Sequence, residues 1–345
     1  MTGIFTYRNF SLRDTPPLDS KVAVITGGQG GIGREIAVQL LLHGIRKVFI
    51  LARSKEKYKT ALEEWRARRD IYLGEEEERV EFVSCDLSDI RNVKEAADQI
   101  KRKTNRLDIV MCNAGLGVTP QYKLSPQSIE LIFASNCVGH QVLVTLLLPL
   151  LKETTVRYKT DARVVVTSSS MHAVCRHLDL YLLTAPTRFK PACYDGIWRY
   201  GRSKLGNILF TRELSRRLLS APDEGSKNIY ANAFFPGNIA TEQVGVWREY
   251  FGRFGAWAMG KLLSVMGQNT TDGAATGVYL AASKKIPDED IRGEYFIPIA
   301  KRDDTSSIAK NMRLARQLWD WIDRKAAEAL GDEWQTADPI TSSPG

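Results

Sequence analysis

A chain of 345 residues is long enough to bury one large α/β core, or two smaller ones, without help from disulfides or metals. Its five cysteines are odd in number and nowhere spaced C-x-x-C, which argues against a zinc ribbon or a disulfide framework and reads as reduced packing residues. The formal charge of +8 comes from 48 basic and 40 acidic residues interleaved along the whole sequence, without a basic stripe carrying aromatics, so a solvated mixed surface is expected and no nucleic-acid partner.

In chain order, residues 1–20 (MTGIFTYRNFSLRDTPPLDS) form an N-terminal extension with no basic start followed by an apolar core. It is not a secretory signal, and a cytoplasmic location is the expectation. Lys21 to Ile25 is a short β-rich run. The glycine-rich TGGQGGIG at 26–33 follows, then an apolar pattern at helical spacing (Ile36, Leu40, Leu41) that stops at Gly44. VFILA at 48–52 predicts a second strand, leading to a charged helix through Trp65 and an acidic surface stretch at 75–78. Further strands are expected in VEFVSCDL (80–87), LDIVMCNAG (107–115), ARVVVTSSS (162–170), NIYANAFFPG (228–237) and GEYFIPI (293–299). VLVTLLLPLL at 142–151 falls short of the ~20 residues that span a bilayer and contains Pro149, so it reads as a buried helix.

Strands alternating with amphipathic helices predict βαβ units: an α/β fold with a Rossmann-like doubly wound parallel sheet, helices on both faces, in a single domain. Residues 21–300, including the stretch at about 240–270, are expected to form this domain, 301–330 a C-terminal helix and 331–345, ending DPITSSPG, a flexible tail. Two stretches break the rhythm, 171–196 and about 240–270. Such inserts in a compact domain are often lids or binding loops.

The glycines of TGGQGGIG fit two dinucleotide-binding spacings, Gly28-x-Gly30-x-x-Gly33 and Gly27-x-x-x-Gly31-x-Gly33, and by themselves do not choose between them. Either way, a strand running through a glycine turn into a helix N-terminus sets unpaired N–H groups and the positive end of the helix dipole beside an anion. In the usual dinucleotide fold a carboxylate some ~20 residues on holds the ribose 2′-hydroxyl. Here the second strand ends LARSK: Ala52 stands where the acid would be, Arg53 is next, and no acid appears before Glu56. A missing carboxylate beside a guanidinium favours a 2′-phosphate, hence NADP(H) over NAD(H). The plainer alternative is that Arg53 is an ordinary surface arginine.

YGRSK at 200–204 opens a strongly helical segment, YGRSKLGNILFTRELSRRL, so Tyr200 and Lys204 are four apart and share a face. A phenol of pKa ~10 is a poor proton donor near neutrality unless its anion is stabilised. A nearby ammonium does that. The pair by itself is a weak signal, and its weight comes from an ordered set: TGGQGGIG, CDL at 85–87, NAG at 113–115, Asn136, TSSS at 167–170, YGRSK, and PGNIAT at 236–241.

On this set the chain resembles the short-chain dehydrogenase/reductase family across about residues 20–300. SKLGNILFTRELSRRL, TSSSMH with His172 in place of the more usual glycine, and SNCVGHQVLVTLLLPLLK look like its retinol-dehydrogenase and WW-domain oxidoreductase branch. The resemblance selects the register Gly27, Gly31 and Gly33, with Gln29 and Ile32 in the same turn. It implies Asp86 and Leu87 near the adenine, Asn113, Ala114 and Gly115 along the adenosine ribose, and Pro236, Gly237, Ile239 and Thr241 around the nicotinamide. It also implies Ser169 as the hydrogen-bond donor to the reacting oxygen, Tyr200 as the proton donor, Lys204 stabilising the phenolate and holding the nicotinamide ribose, and Asn136 anchoring a water that leads to Lys204. Pairing into a homodimer through the helices containing 137–152 and 200–219 is implied in the same way.

The interval from Ser169 to Tyr200 is longer than in most members, which leaves the proton chemistry intact and the substrate pocket open. His172 and His177 in this insert lack a third ligand, and no metal is expected. The stretch after Thr241 carries Trp247, Tyr250, Phe251, Phe254, Trp257 and Met259, with little charge beyond Arg248, Glu249 and Arg253. An aromatic lid suits a bulky apolar ligand. These residues can equally pack the helices onto the core, or touch a membrane surface peripherally. The expectation is an NADP(H)-dependent oxidoreductase interconverting carbonyl and alcohol on a hydrophobic sterol, terpenoid, retinoid or polyketide-like substrate, reduction favoured. Its rival is a catalytically idle nucleotide-binding scaffold acting through a protein partner.

Overall fold

The structure is a computed structural model that describes residues 8–74, 79–185, 192–237 and 269–335. The strands are β1 (Val22–Thr26), β2 (Lys47–Ala52), β3 (Val80–Ser84), β4 (Ile109–Cys112), β5 (Ala162–Thr167), β6 (Ile229–Phe234), β7 (Tyr295–Ile297) and β8 (Lys301–Asp303). The main helices are α1 (Gly31–Leu42), α2 (Lys55–Arg66), α3 (Ile90–Lys103), α4 (Gly139–Arg157), α5 (Ala192–Ser220), α6 (Thr270–Ala282) and α7 (Met312–Leu330). The sheet order is β3-β2-β1-β4-β5-β6-β7-β8, parallel except for the antiparallel pair β7–β8 at one edge.

The strands are apolar on both faces because helices cover both. Along β1, Val22 and Val24 point to a core shared with α3, α4, α5 and α7, whereas Ala23 and Ile25 point to one shared with α1, α2 and α6. The chain reverses its direction of travel across the sheet between β1 and β4. The carboxyl ends of those strands, with those of β5 and β6, therefore open onto a crevice.

Several expected boundaries shift. The run at 142–151 belongs to a continuous helical stretch of 27 residues, Leu131–Arg157, which is long and apolar enough to cross a membrane. Its length therefore does not explain its place in the fold. Burial does, since 94% of its most apolar window is covered by the rest of the protein. The strand expected over 80–87 stops at Ser84 because Asp86 turns the chain, accepting from both the amide and hydroxyl of Ser88. In 301–330, β8 and a short 3-10 turn (Ser307–Lys310) precede α7. In 171–196, two 3-10 turns (Ser170–Val174 and Leu180–Leu183) precede α5, which starts at Ala192.

The N-terminal extension is pinned to the core from Asn9, whose amide donates to Ile299 O. Phe10 meets Tyr279 of α6 edge-on at 5.3 Å. α7 presents Ala315, Leu318, Trp319, Ile322 and Ala326 as one apolar stripe, and packs against α5, α3 and α4. Trp319 stacks on Phe210 with centroids 5.9 Å apart, under the Arg217 guanidinium at 4.6 Å. The two helices implied for pairing between subunits thus already carry the chain's own last helix.

Candidate active site

At the β1–α1 end of the crevice, glycines of the turn differ in conformation and in the room around them. Gly27 and Gly31 sit at φ +68° and +52°, a region L-residues rarely adopt. A Cβ on Gly33 would lie 2.5 Å from Gly27 O, whereas one on Gly30 would meet no protein atom within 4 Å. The backbone therefore demands glycine at 27, 31 and 33. α1 begins at Gly31 with Gly30 as a cap that has no side chain, so its first amides face the crevice.

The crevice is a cleft of ≈ 1230 Å³. Gln29 and Ile32 line it beside the turn, Arg53 at the end of β2, Asp86 and Leu87 after β3, and Asn113, Ala114 and Gly115 after β4. Arg53 is exposed and makes no hydrogen bond or ion pair among the described residues. Arg34, by contrast, is engaged by Glu64. Pro236 and Gly237, the latter at φ +97°, line the far end after β6. Ile239, Thr241 and nearly all of the 240–270 stretch lie outside the described residues.

A dinucleotide fits the residues present. At the turn, Gly30 and Gly31 face open space with no protein atom within 4 Å of where a Cβ would stand, the helix start has no side-chain cap, and Gln29 Oε1 is buried with no partner among the described residues.

Toward the middle of the cleft stand Ser169, Tyr200 and Lys204. Ser169 caps the 3-10 turn after β5: its Oγ accepts from Met171 N at 3.2 Å, which leaves its own proton free to donate. Lys204 lies one turn after Tyr200 on α5, its Nζ 5.6 Å from the phenol ring centroid. That ammonium donates to Thr167 O at 3.0 Å and is fully buried, and burial pushes its pKa down to about 8, with the Cys137 thiol opposing. It remains largely cationic at neutral pH.

Asn136 lies in a π-helical widening, Ala134–Val138, ahead of α4, where the amide of Gly139 reaches back five residues to Ala134 O. Its Oδ1 accepts from Leu116 N at 2.7 Å, and its Nδ2 donates to Leu116 O and to Ser203 Oγ, both at 3.0 Å. Ser203 donates in turn to Tyr200 O at 2.8 Å. Ser203 had no mark of its own in the sequence beyond its place inside YGRSK. Thr26 was also missed. Its hydroxyl accepts from the amides of Asn113 and Ala114 at 2.9 and 3.0 Å, fixing the NAG turn against the end of β1.

His172 is not a ligand candidate. Its Nδ1 lies 2.7 Å from Ser169 O, its Nε2 accepts from Ser306 N at 3.4 Å, and burial lowers its pKa. Among the described residues no three His, Cys, Asp or Glu side chains gather to hold a metal.

The sequence profile described as short chain dehydrogenase matches residues 21–177. Mouse retinol dehydrogenase 12 is 32% identical over 92% of this chain and 89% of its own length. The chain belongs to the short-chain dehydrogenase/reductase family. The human WW domain-containing oxidoreductase is 32% identical as well, over 91% of this chain and 70% of its own length, which sets the chain in the branch both represent. The mitochondrial oxidoreductase bli-4 of Neurospora crassa is 36% identical over 68% of this chain, which spans only 55% of that protein. Among solved structures, L-sorbose reductase of Gluconobacter frateurii, complexed with NADPH and L-sorbose, superposes with a TM-score of 0.61 over 84% of this chain and 99% of its own, at 18% identity, a likeness of fold.

Proposed function

We propose that this short-chain dehydrogenase/reductase is an NADP(H)-dependent enzyme that interconverts a carbonyl and an alcohol on a bulky hydrophobic substrate, with reduction favoured. The observation that carries the reading is the buried Lys204 ammonium one helical turn from Tyr200, with both side chains on the same cleft as the glycine cradle.

The residues divide the work by charge. Bound along the cleft, the reduced nicotinamide supplies a hydride to the carbonyl carbon. Negative charge then grows on the substrate oxygen, where Ser169, with its hydroxyl proton uncommitted, donates a hydrogen bond. Tyr200 delivers the proton, the alcohol is formed, and the phenolate left behind is stabilised by Lys204 until solvent returns a proton. Asn136 and Ser203 hold the turn of α5 on which Tyr200 sits. Gly27, Gly31 and Gly33, with the amides at the start of α1, would hold the diphosphate. Asp86, Leu87 and Asn113 to Gly115 would hold the adenosine, and Pro236 to Thr241 the nicotinamide.

Arg53, exposed at the end of β2 with no acid at position 52, supports the choice of the 2′-phosphorylated cofactor. The NADPH held by the sorbose reductase accords with this. The hydrophobic substrate and a peripheral membrane contact rest on the aromatic sequence after Thr241. A homodimer formed through α4 and α5 would meet α7 there.

Replacing Tyr200 by Phe tests the reading. The enzyme should lose carbonyl turnover while still binding NADPH, whereas a nucleotide-binding scaffold would behave the same with or without the hydroxyl. An unchanged rate in the variant refutes the proposed chemistry.

A further inference from the structure

His140, the second residue of α4, is completely buried and lies outside every role assigned above. Its ring makes two hydrogen bonds, each 2.9 Å long: Nδ1 to Asn136 O and Nε2 to Thr26 Oγ1. A carbonyl oxygen only accepts, so Nδ1 carries the proton, and Nε2 must then accept from the Thr26 hydroxyl. The opposite tautomer would set a ring lone pair against a carbonyl lone pair in a dry interior, where neither can find another donor.

This assignment satisfies the neighbours as well. With its proton on the imidazole, Thr26 Oγ1 turns its lone pairs to the amides of Asn113 and Ala114. The competing acceptor, Met111 O, is farther off at 3.3 Å. Asn136 is held at its carbonyl by the imidazole and at its amide by Leu116 and Ser203. One line of hydrogen bonds therefore runs from the NAG turn through Thr26, His140, Asn136 and Ser203 to the backbone of Tyr200. It crosses from β1 to the widened helix to α5. The interior also excludes a charged ring: burial, aided by Lys204, pushes the His140 pKa down to about 4.

We infer that His140, locked as its Nδ1–H tautomer, is a positioning residue that couples the nucleotide-binding turn to the Asn136–Ser203–Tyr200 side of the cleft. The inference rests on reading the cleft as the cofactor site.

The tautomer is readable without turnover. The chain has four histidines. In protein carrying nitrogen-15 histidine, the signal that disappears in His140→Phe should show a protonated Nδ1 and an unprotonated Nε2 from about pH 8 down to about pH 6. A protonated Nε2, or an imidazolium in that range, overturns the inference.

The coupling is read by titrating NADPH against intrinsic tryptophan fluorescence in Thr26→Val, His140→Phe and the double variant. Each single change should weaken NADPH on the order of tenfold. The double change should weaken it no further, because either alone breaks the line. Thr26→Ser, which keeps the hydroxyl, should bind as the unmodified protein does. Losses that simply add overturn the coupling. If His140→Phe fails to fold, Thr26→Val against Thr26→Ser carries the same test from the other end, and equal affinities there overturn it. Failure of the unmodified protein to bind NADPH would instead refute the cofactor reading, and leaves the tautomer result standing apart from it.

Discussion

Replacing Lys204 by Met removes the ammonium and its hydrogen bond to Thr167 O while nearly keeping the volume of a fully buried side chain, so packing changes little and the effect on the phenolate is electrostatic. The Nζ stands 5.6 Å from the Tyr200 ring centroid. At an effective dielectric constant of about 20, a unit charge at that distance stabilises a phenolate by about 3 kcal/mol, equivalent to about 2 pK units or roughly a hundredfold in rate. The fold should survive, because Thr167 O, which accepts from Lys204, also accepts from Asn207 Nδ2 at 2.9 Å. The assay is carbonyl reduction, followed by the loss of reduced nicotinamide absorbance across pH, with NADPH affinity measured in parallel. Burial lowers the Lys204 pKa to about 8, so the ammonium is present below that pH and lost above it. Reduction by the unmodified enzyme should accordingly decline as pH rises through about 8, and Lys204→Met should be roughly a hundredfold slower with that decline gone. A variant within a factor of about three of the unmodified rate at neutral pH, or one that keeps the same alkaline decline, would refute the electrostatic role.

Three further outcomes follow from the same geometry. Arg53→Ala should erase a preference of at least about tenfold for NADPH over NADH in fluorescence titrations; equal affinities in the unmodified protein would show that LARSK does not read the 2′-phosphate. Gly33→Ala should lower the melting temperature and weaken NADPH, since its Cβ would press on Gly27 O at 2.5 Å, whereas Gly30→Ala, with no protein atom within 4 Å, should melt as the unmodified chain does. Trp319→Ala removes a side chain that is 1% exposed between Phe210 and Arg217, and should cost about 3–5 kcal/mol of stability in denaturant unfolding. A loss under about 1 kcal/mol would mean that α7 is only loosely attached.

The sequence alone carried what short-range geometry decides. The alternation of apolar strands and helices implied a parallel sheet covered on both faces, because a strand buried twice has no polar side. The spacing of Tyr200 and Lys204 put them on one helix face, and the absence of an acid at position 52 was visible by inspection. The glycine register, open on spacing alone, came from the family resemblance; why the backbone needs glycine there shows only in the dihedrals and in the approach of Gly33 to Gly27 O, since a glycine carries no side chain to reveal why it is needed.

Other features exist only through tertiary packing. Asn136 and His140 are four apart and legible as a pair on one helix, but Thr26 lies 114 residues from His140, and only the fold brings its hydroxyl to that ring. Lys204 acquires its lowered pKa from the residues that exclude water around it, which no local pattern encodes. The apolar run at 142–151 shows the same division. Its ten-residue length and Pro149 point to a buried helix, but the helical stretch it belongs to is long and apolar enough to cross a membrane, and what covers it comes from elsewhere in the chain. Periodicity tells a segment which face to bury; what it is buried against, and so how its charges behave, depends on contacts that sequence separation hides.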